Sequence, residues 1–165
     1  MSSVRPAASR ILEASSGLEL EVTRVLFREY AGGVSVDLGF QNFDEELAQL
    51  PGIYEASRGS LLLAQVGGLW AGCCALRPLD SVDYPNAAEM KRLYVRPGFR
   101  RAGVGRLLTE AILEAARVRA YDCVLLDTLD DMESARALYQ ELGFEEVPPY
   151  YFNPIAGAHY LRVSL

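Results

Sequence analysis

Six basic residues, Lys91, Arg92, Arg96, Arg100, Arg101 and Arg106, fall in the stretch KRLYVRPGFRRAGVGR with no acidic residue among them. The whole chain carries a formal net charge of -6, so the sign is reversed locally. Within the stretch, Arg100-Arg101-Ala102-Gly103-Val104-Gly105-Arg106 follows an apolar run, Leu93-Tyr94-Val95, and precedes a helical pattern. A strand, a glycine-bearing turn and a helix N-terminus in that order suit phosphate. First-turn N–H groups have no partner inside the helix, and the macrodipole adds partial positive charge there. Glycines at 103 and 105 let the backbone approach a ligand with no Cβ in the way. These residues are expected to cradle a pyrophosphate; a solvated basic helix start is the plainer alternative.

The elements around the cradle can be read in order. Residues 1–7 are expected to fray, and Arg10 to Ala14 suggests a short strand. Ser16-x-x-Glu19 is a capping-box pattern, followed at helical spacing by Leu18, Val22, Val25, Leu26 and Tyr30 up to Gly32-Gly33. Asn42-x-x-Glu45 suggests a second, short helix stopped by Pro51-Gly52. The stretches 31–41 and 51–60 read as mobile or substrate-shaping loops. Leu61 to Val66, Gly67-Gly68 and Leu69 to Leu76 predict a β-hairpin, since paired glycines permit the positive φ of a tight turn. Pro78 and the polar stretch 80–86 should end its second strand.

Ala88 to Val95 predicts the strand that leads into the cradle. Its apolar residues change phase, from Ala88 and Met90 to Leu93 and Val95. Strand side chains have period two, so a slip of one near Lys91-Arg92 predicts a β-bulge or a two-sided strand. Val104, Leu107, Leu108, Ala111, Ile112 and Ala115 predict a long amphipathic helix. Cys123 to Leu126 reads as a central strand covered on both faces. Asp130 or Asp131 can cap a further helix with the stripe Ala135, Leu138, Tyr139 and Leu142, closed by Gly143. Phe144–Val147 and His159–Val163 would be the last strands, flanking the segment PPYYFNP at 148–154. The alternation predicts one α/β or α+β domain over residues 1–165.

Composition narrows the function classes. Half of the 165 residues are hydrophobic and 23% are charged, as in ordinary globular chains. The acidic balance disfavours nucleic acid, which needs a broad basic face. Cys73, Cys74 and Cys123 lie in apolar runs and read as buried reduced thiols. With one histidine, His159, no metal-ligand spacing appears. The run Leu69 to Leu76 is far short of the ~18 apolar residues of a membrane span, and the N-terminus has no signal-peptide core. The expectation is a cytoplasmic protein without a membrane partner.

Arg100-x-x-Gly103-x-Gly105, after Leu-Tyr-Val and before a long helix, resembles the acyl-CoA signature of the GNAT (Gcn5-related) N-acetyltransferases. A second block, ARALYQELGF at 135–144, is similar to that family's helix with a tyrosine before Leu-Gly-Phe. The blocks stand in family order with one strand between them. The resemblance covers about residues 60–147 and implies a mixed, mostly antiparallel sheet of roughly six or seven strands with about four flanking helices. It implies that the strands at 88–95 and 123–127 run parallel and splay apart around a pantetheine arm. Backbone groups of Leu93 and Val95 would then pair with the pantetheine, and amides from Arg101 to Arg106 would hold the pyrophosphate. Two positions depart from the common pattern. Met132 stands where many members carry a pantetheine-contacting asparagine, and Arg101 where glycine is frequent.

The resemblance implies acetyl-CoA as acyl donor and transfer to a primary amine of a small molecule or peptide. That chemistry needs a base for an amine whose pKa is ~10, a donor for the oxyanion, and a proton or hydrogen bond for the departing thiolate. By similarity Glu89 is the candidate base and Tyr139 the candidate acid. A solvated strand glutamate, paired with Arg92 or Lys91, and a plain core tyrosine are the alternatives. A backbone N–H near Leu93 or Tyr94 could serve the oxyanion, and Arg100, Arg101 and Arg106 could reach phosphates. Tyr150, Tyr151, Phe152 and Asn153 could line the acceptor site. The net charge mildly favours a cationic acceptor. A non-catalytic acyl-CoA sensor is the rival reading; a Rossmann-type nucleotide module lacks an N-terminal G-x-G-x-x-G. Oligomeric state stays open, a homodimer included.

Overall fold

The computed structural model describes residues 8–33, 42–129, 133–152 and 156–165. In chain order the elements are β1 (Ser9–Glu13), α1 (Gly17–Gly33), α2 (Phe43–Gln49), β2 (Ser60–Val66), β3 (Leu69–Leu79), β4 (Ala87–Val95), α3 (Val104–Val118), β5 (Cys123–Leu129), α4 (Glu133–Glu141), β6 (Glu145–Val147) and β7 (Ala158–Ser164). All seven strands join one sheet in the order β1-β2-β3-β4-β5-β7-β6. Only β4 and β5 are parallel; every other neighbouring pair is antiparallel. The mixed, mostly antiparallel sheet with four helices is the fold expected from the sequence. The fraying of residues 1–7, most of the 31–41 loop, the Asp130 or Asp131 cap, Met132 and Asn153 lie outside the described residues.

Local signals explain where the helices start and stop. The capping box forms as expected: the Ser16 hydroxyl accepts from the Glu19 N–H at 3.2 Å, and the Glu19 carboxylate accepts from the Ser16 N–H at 3.0 Å. The buried stripe of α1 is Thr23, Leu26 and Phe27, whereas Leu18 and Val25 stay exposed. Thr23 can be buried because its hydroxyl donates to the Glu19 carbonyl. On α3 the buried stripe is likewise turned from the expected one, with Thr109 and Leu113 inside and Leu107 exposed. Asn42 departs further. It precedes α2 in the left-handed conformation, φ 55°, and its side chain makes no cap.

The segment after α2 is not an open loop. Gly52–Tyr54 forms a 3-10 turn that buries Tyr54, and a Cβ at Gly59 would lie 2.6 Å from the Leu76 carbonyl oxygen. β3 also runs through Pro78 to Leu79 instead of stopping there.

Helices α1 and α2 cover one face of the sheet through Leu26, Phe27, Phe43 and Leu47. Helix α3 packs on the other face, with Tyr139 of α4 in the same cluster. A third, smaller cluster on the face with α1 and α2 gathers Leu79, Ala87 and Leu125 under the 82–84 loop and Tyr150. Between it and the α1–α2 cluster, no α-helix covers that face among the described residues.

The expected bulge in β4 is present. Ala75 faces Lys91 and Cys73 faces Tyr94, so Cys74 alone spans Arg92 and Leu93. Arg92 takes φ 60°, uncommon for a residue with a side chain. Its side chain, 3% exposed, makes a two-point ion pair with Glu46 of α2 at 2.9 and 3.0 Å. Its guanidinium also lies over the rings of Phe43 and Tyr30. Replacing Arg92→Met leaves the Glu46 carboxylate buried without its cation. We expect a loss of roughly 3–5 kcal/mol in urea denaturation. The double variant Arg92→Met/Glu46→Met should recover much of it. An unshifted urea midpoint in the single variant would show that the pair does not hold α2 to the bulge.

Candidate active site

The cradle is built as a helix start left free of protein caps. Gly103 stands at the N-cap of α3 with φ 77°, a conformation that carries no penalty in glycine. No side chain caps this helix, and its first turn has no acidic residue. The contrast with α1 is informative, because there a serine and a glutamate occupy the equivalent donors. Arg101, also left-handed at φ 71°, Ala102 and Gly103 are exposed. Val104 is buried against the core, and Gly105 sits over Val95 and Leu138. The N–H groups of Val104, Gly105 and Arg106 have no partner inside the helix and are available to an anionic group.

The arginines contribute less than their number suggests. The Arg106 guanidinium is engaged by Glu110 and Glu141. Arg100 turns back, its Nε donating to the Val95 carbonyl at 3.0 Å. Among the described residues, only the Arg101 side chain of the three has no partner.

Next to the cradle the sheet opens. β4 and β5 pair only at Ala87–Cys123, Ala88–Val124 and Glu89–Leu125, and then separate. The Arg96 N–H donates to the Ala71 carbonyl on β3. Backbone groups alternate between the two edges of a strand, so Leu93 and Val95 present theirs to the gap. Tyr94 does not take part. Its backbone pairs with Cys73, and its hydroxyl donates to Glu29 of α1 at 3.1 Å. Of the two oxyanion donors considered, only the Leu93 N–H faces the opening.

Glu89 stands at the mouth of this gap and is 2% exposed, which overturns the solvated reading. Nor does it pair with Arg92, which belongs to Glu46. The Tyr150 hydroxyl donates to its Oε2 at 2.6 Å. Arg77 and Lys91 approach its Oε1 at 3.5 and 3.9 Å. On the opposite lip, Asp127 of β5 accepts from the Tyr151 hydroxyl, also at 2.6 Å. Two consecutive tyrosines thus each hold a carboxylate on one of the diverging strands, and both stack on Tyr160. Burial first, then the nearby carboxylates, pushes both phenols well above the ordinary tyrosine range. They remain protonated donors. Below them lies a cavity of about 280 Å³ lined by Glu89, Arg77, Lys91, Ile53 and both tyrosines.

Tyr139 of α4 is 5% exposed and packs against Phe144 at 5.5 Å between ring centres. Burial raises its pKa most, with further contributions from Cys74, Tyr30 and Asp127. These groups belong to β3, α1 and β5.

The residues matched in known proteins agree with this architecture. The sequence model of the acetyltransferase (GNAT) family matches residues 24–144. An uncharacterized N-acetyltransferase of Schizosaccharomyces pombe is 36% identical over 163 residues, covering 98% of each chain. The chain belongs to the GNAT acetyltransferase family. Another GNAT relative, an uncharacterized N-acetyltransferase of Dictyostelium discoideum, is 29% identical over 88% of this chain and 93% of its own. Among solved structures, an acetyltransferase of Streptococcus agalactiae shares the GNAT fold with a TM-score of 0.76 at 19% identity, covering 95% of this chain and 98% of its own. A Salmonella typhimurium protein solved with acetyl-CoA has a TM-score of 0.74 at 16% identity, covering 95% and 94%. Acetyl-CoA is the GNAT acyl donor.

One expectation for this GNAT site needs adjustment, and others stand. Phe152 is 88% exposed and does not line the cavity, unlike Tyr150 and Tyr151. His159 bonds Glu146 at 2.7 Å, away from the cavity. Cys73, Cys74 and Cys123 are free and buried, and burial raises the thiol pKa of the first two. Asp127 and Arg77 were not singled out from the sequence, because their places depend on strands far apart in the chain. No group of metal-ligating residues occurs among the described residues, and no helix there is long and apolar enough to cross a membrane.

The Tyr150 bond has a stability consequence. Tyr150→Phe removes the one close donor to a buried carboxylate, and we expect about 1–3 kcal/mol lost in urea denaturation near neutral pH. Phe152→Ala, at an exposed ring, should stay within ~0.5 kcal/mol. Equal effects of the two substitutions would show that the bond to Glu89 contributes nothing.

Proposed function

We propose that this chain transfers the acetyl group of acetyl-CoA directly to a primary amine of a small molecule, both bound together. The observation that carries the reading is one continuous track. It starts at the uncapped N-terminus of α3, follows the unpaired edge of β4 at Val95 and Leu93, and ends at Glu89. From Val95 to Glu89 the strand spans about 20 Å, room for an extended arm with its thioester end beside the cavity. In this reading the amides from Arg101 to Arg106 hold the pyrophosphate. Arg106 serves through its backbone, since its side chain is engaged by Glu110 and Glu141.

Each chemical need then has a residue. Glu89 takes the proton from the acceptor ammonium, directly or through water, freeing the nitrogen lone pair to attack the thioester carbon. The Leu93 N–H stabilises the developing oxyanion. As the C–S bond breaks, Tyr139, kept protonated by burial, passes its proton to the departing sulfur, and the second proton lost by the acylated nitrogen restores the phenol. A route through an acyl-cysteine gains no support from Cys73 or Cys74, whose thiols are buried and raised in pKa. The three free thiols suit a reducing compartment such as the cytoplasm.

Titration calorimetry with acetyl-CoA should give micromolar binding, with NAD and ATP silent. Binding without thiol release for any amine would instead favour a sensor. Tyr139→Phe should bind acetyl-CoA normally and lower kcat by roughly 10²-fold; unchanged turnover removes it from the mechanism. For Glu89→Gln, kcat/KM should rise about tenfold per pH unit toward the amine pKa of ~10, while the parent levels off earlier. A profile of unaltered shape removes Glu89 as base.

A further inference from the structure

The wall of the cavity carries more positive charge than Glu89 alone can use. Arg77, Lys91 and Arg92 line it, against Glu46 and Glu89. Arg92 is engaged at two points by Glu46. Arg77 and Lys91 are left to share one oxygen of Glu89, the other being held by Tyr150. Their distances of 3.5 and 3.9 Å exceed the 2.7–2.9 Å or so of a close charge-assisted bond. The register places them there: Arg77 lies directly opposite Glu89 across β3 and β4, and Lys91 is two residues along on the same face. Asp80, the other acid within electrostatic reach of Arg77, is taken by Arg58 through two bonds. The Arg77 Nε is buried with no acceptor among the described residues, so its neighbours leave part of the hydrogen-bonding capacity of this guanidinium unused.

The opposite sign occurs at the mouth of the gap. Asp127 accepts from Tyr151 and makes no ion pair with any described residue. The cavity together with the opening beside it is therefore bipolar: Glu89 lines the cavity, Asp127 stands next to it as the acceptor of Tyr151, and the spare cations lie on the far side of Glu89. Its volume of about 280 Å³ equals roughly nine liquid-water volumes. That suits a molecule of amino-acid size better than a long polyamine.

We propose that the acceptor is a small amine carrying a carboxylate, with the carboxylate seated on Arg77 and Lys91 and the ammonium turned toward Glu89 and Asp127. The proposal rests on the acyl-transfer reading above. It differs from the cationic acceptor suggested by net charge, because two nearby cations outweigh a distant, salt-screened field.

The test measures thiol release from acetyl-CoA with the common amino acids, each beside its amide and its decarboxylated amine. Polyamines and phosphoethanolamine complete the panel. For the preferred side chain, kcat/KM for the acid should exceed that of its amide and amine by at least about tenfold. Arg77→Gln and Lys91→Met also change the surroundings of Glu89, so the readout is the acid-to-amide ratio within each variant: KM for the acid should rise by a larger factor than KM for the amide, with acetyl-CoA affinity as the control for folding. A merely structural role would raise both KM values together. Amides, amines or polyamines used as well as the acids would overturn the acceptor class and leave acyl transfer standing. Preference for phosphoethanolamine would put phosphate there and overturn the carboxylate. Thiol release with no member of the panel would overturn acyl transfer and the acceptor class together.

Discussion

β4 has to satisfy two neighbours that want different things, and the bulge at Arg92 is how it does so. Along its whole length it pairs with β3, but it leaves β5 after Glu89. Before the bulge, Ala88 and Met90 face α3 while Glu89 and Lys91 face the other side. One extra residue then turns Leu93 and Val95 onto the α3 face as well. Without it they would stand on the side of Glu89, and the apolar stripe under α3 would break at its centre. A left-handed arginine is an unfavourable way to make a bulge. Here the cost is offset by a buried ion pair and two aromatic rings that bind the same side chain to α1 and α2. One local distortion therefore sets the face of the strand, the position of α2 and the start of the gap.

The gap draws its polarity from groups brought in over the sheet. Tyr150 and Tyr151 are adjacent in the chain, and their hydroxyls reach carboxylates on two different strands. They can do so because β4 and β5 no longer pair beyond Glu89. A donor at 2.6 Å lets Glu89 stay in a nearly dry place, and an equal one holds the half-buried Asp127. The same tyrosines close the cavity from above. Local polarity and access are thus controlled by a single short segment.

The two long helices show how one chain treats its helix starts differently. α1 spends a serine and a glutamate on its first-turn donors, as a helix with no other duty does. α3 begins at a left-handed glycine with neither a cap nor an acid. Leaving those donors open is a defect in stability terms and an asset for holding phosphate. The nearby arginines add less than expected, because two of the three are turned to protein partners.

Much of this was legible in the chain. Turn glycines, the α1 capping box, the helical stripes and the phase slip in β4 are patterns among residues within one or two turns or a few strand positions. Their physics is local, and the structure places them where the pattern does, apart from the buried stripes of α1 and α3, which are turned from the expected ones. The failures were of one kind. Asn42 looked like a cap, Arg92 like a partner for Glu89, and the Arg106 side chain like one free to reach phosphate, because each was judged by its neighbours in sequence. Glu89 meets Tyr150 across 61 positions, Arg92 meets Glu46 across 46, and Arg106 meets Glu141 across 35. Such contacts do not exist until the order of the strands is set. The sequence by itself determined the elements and the open helix start; tertiary structure alone decided which charges face one another in the cavity, since burial and pairing belong to the assembled sheet.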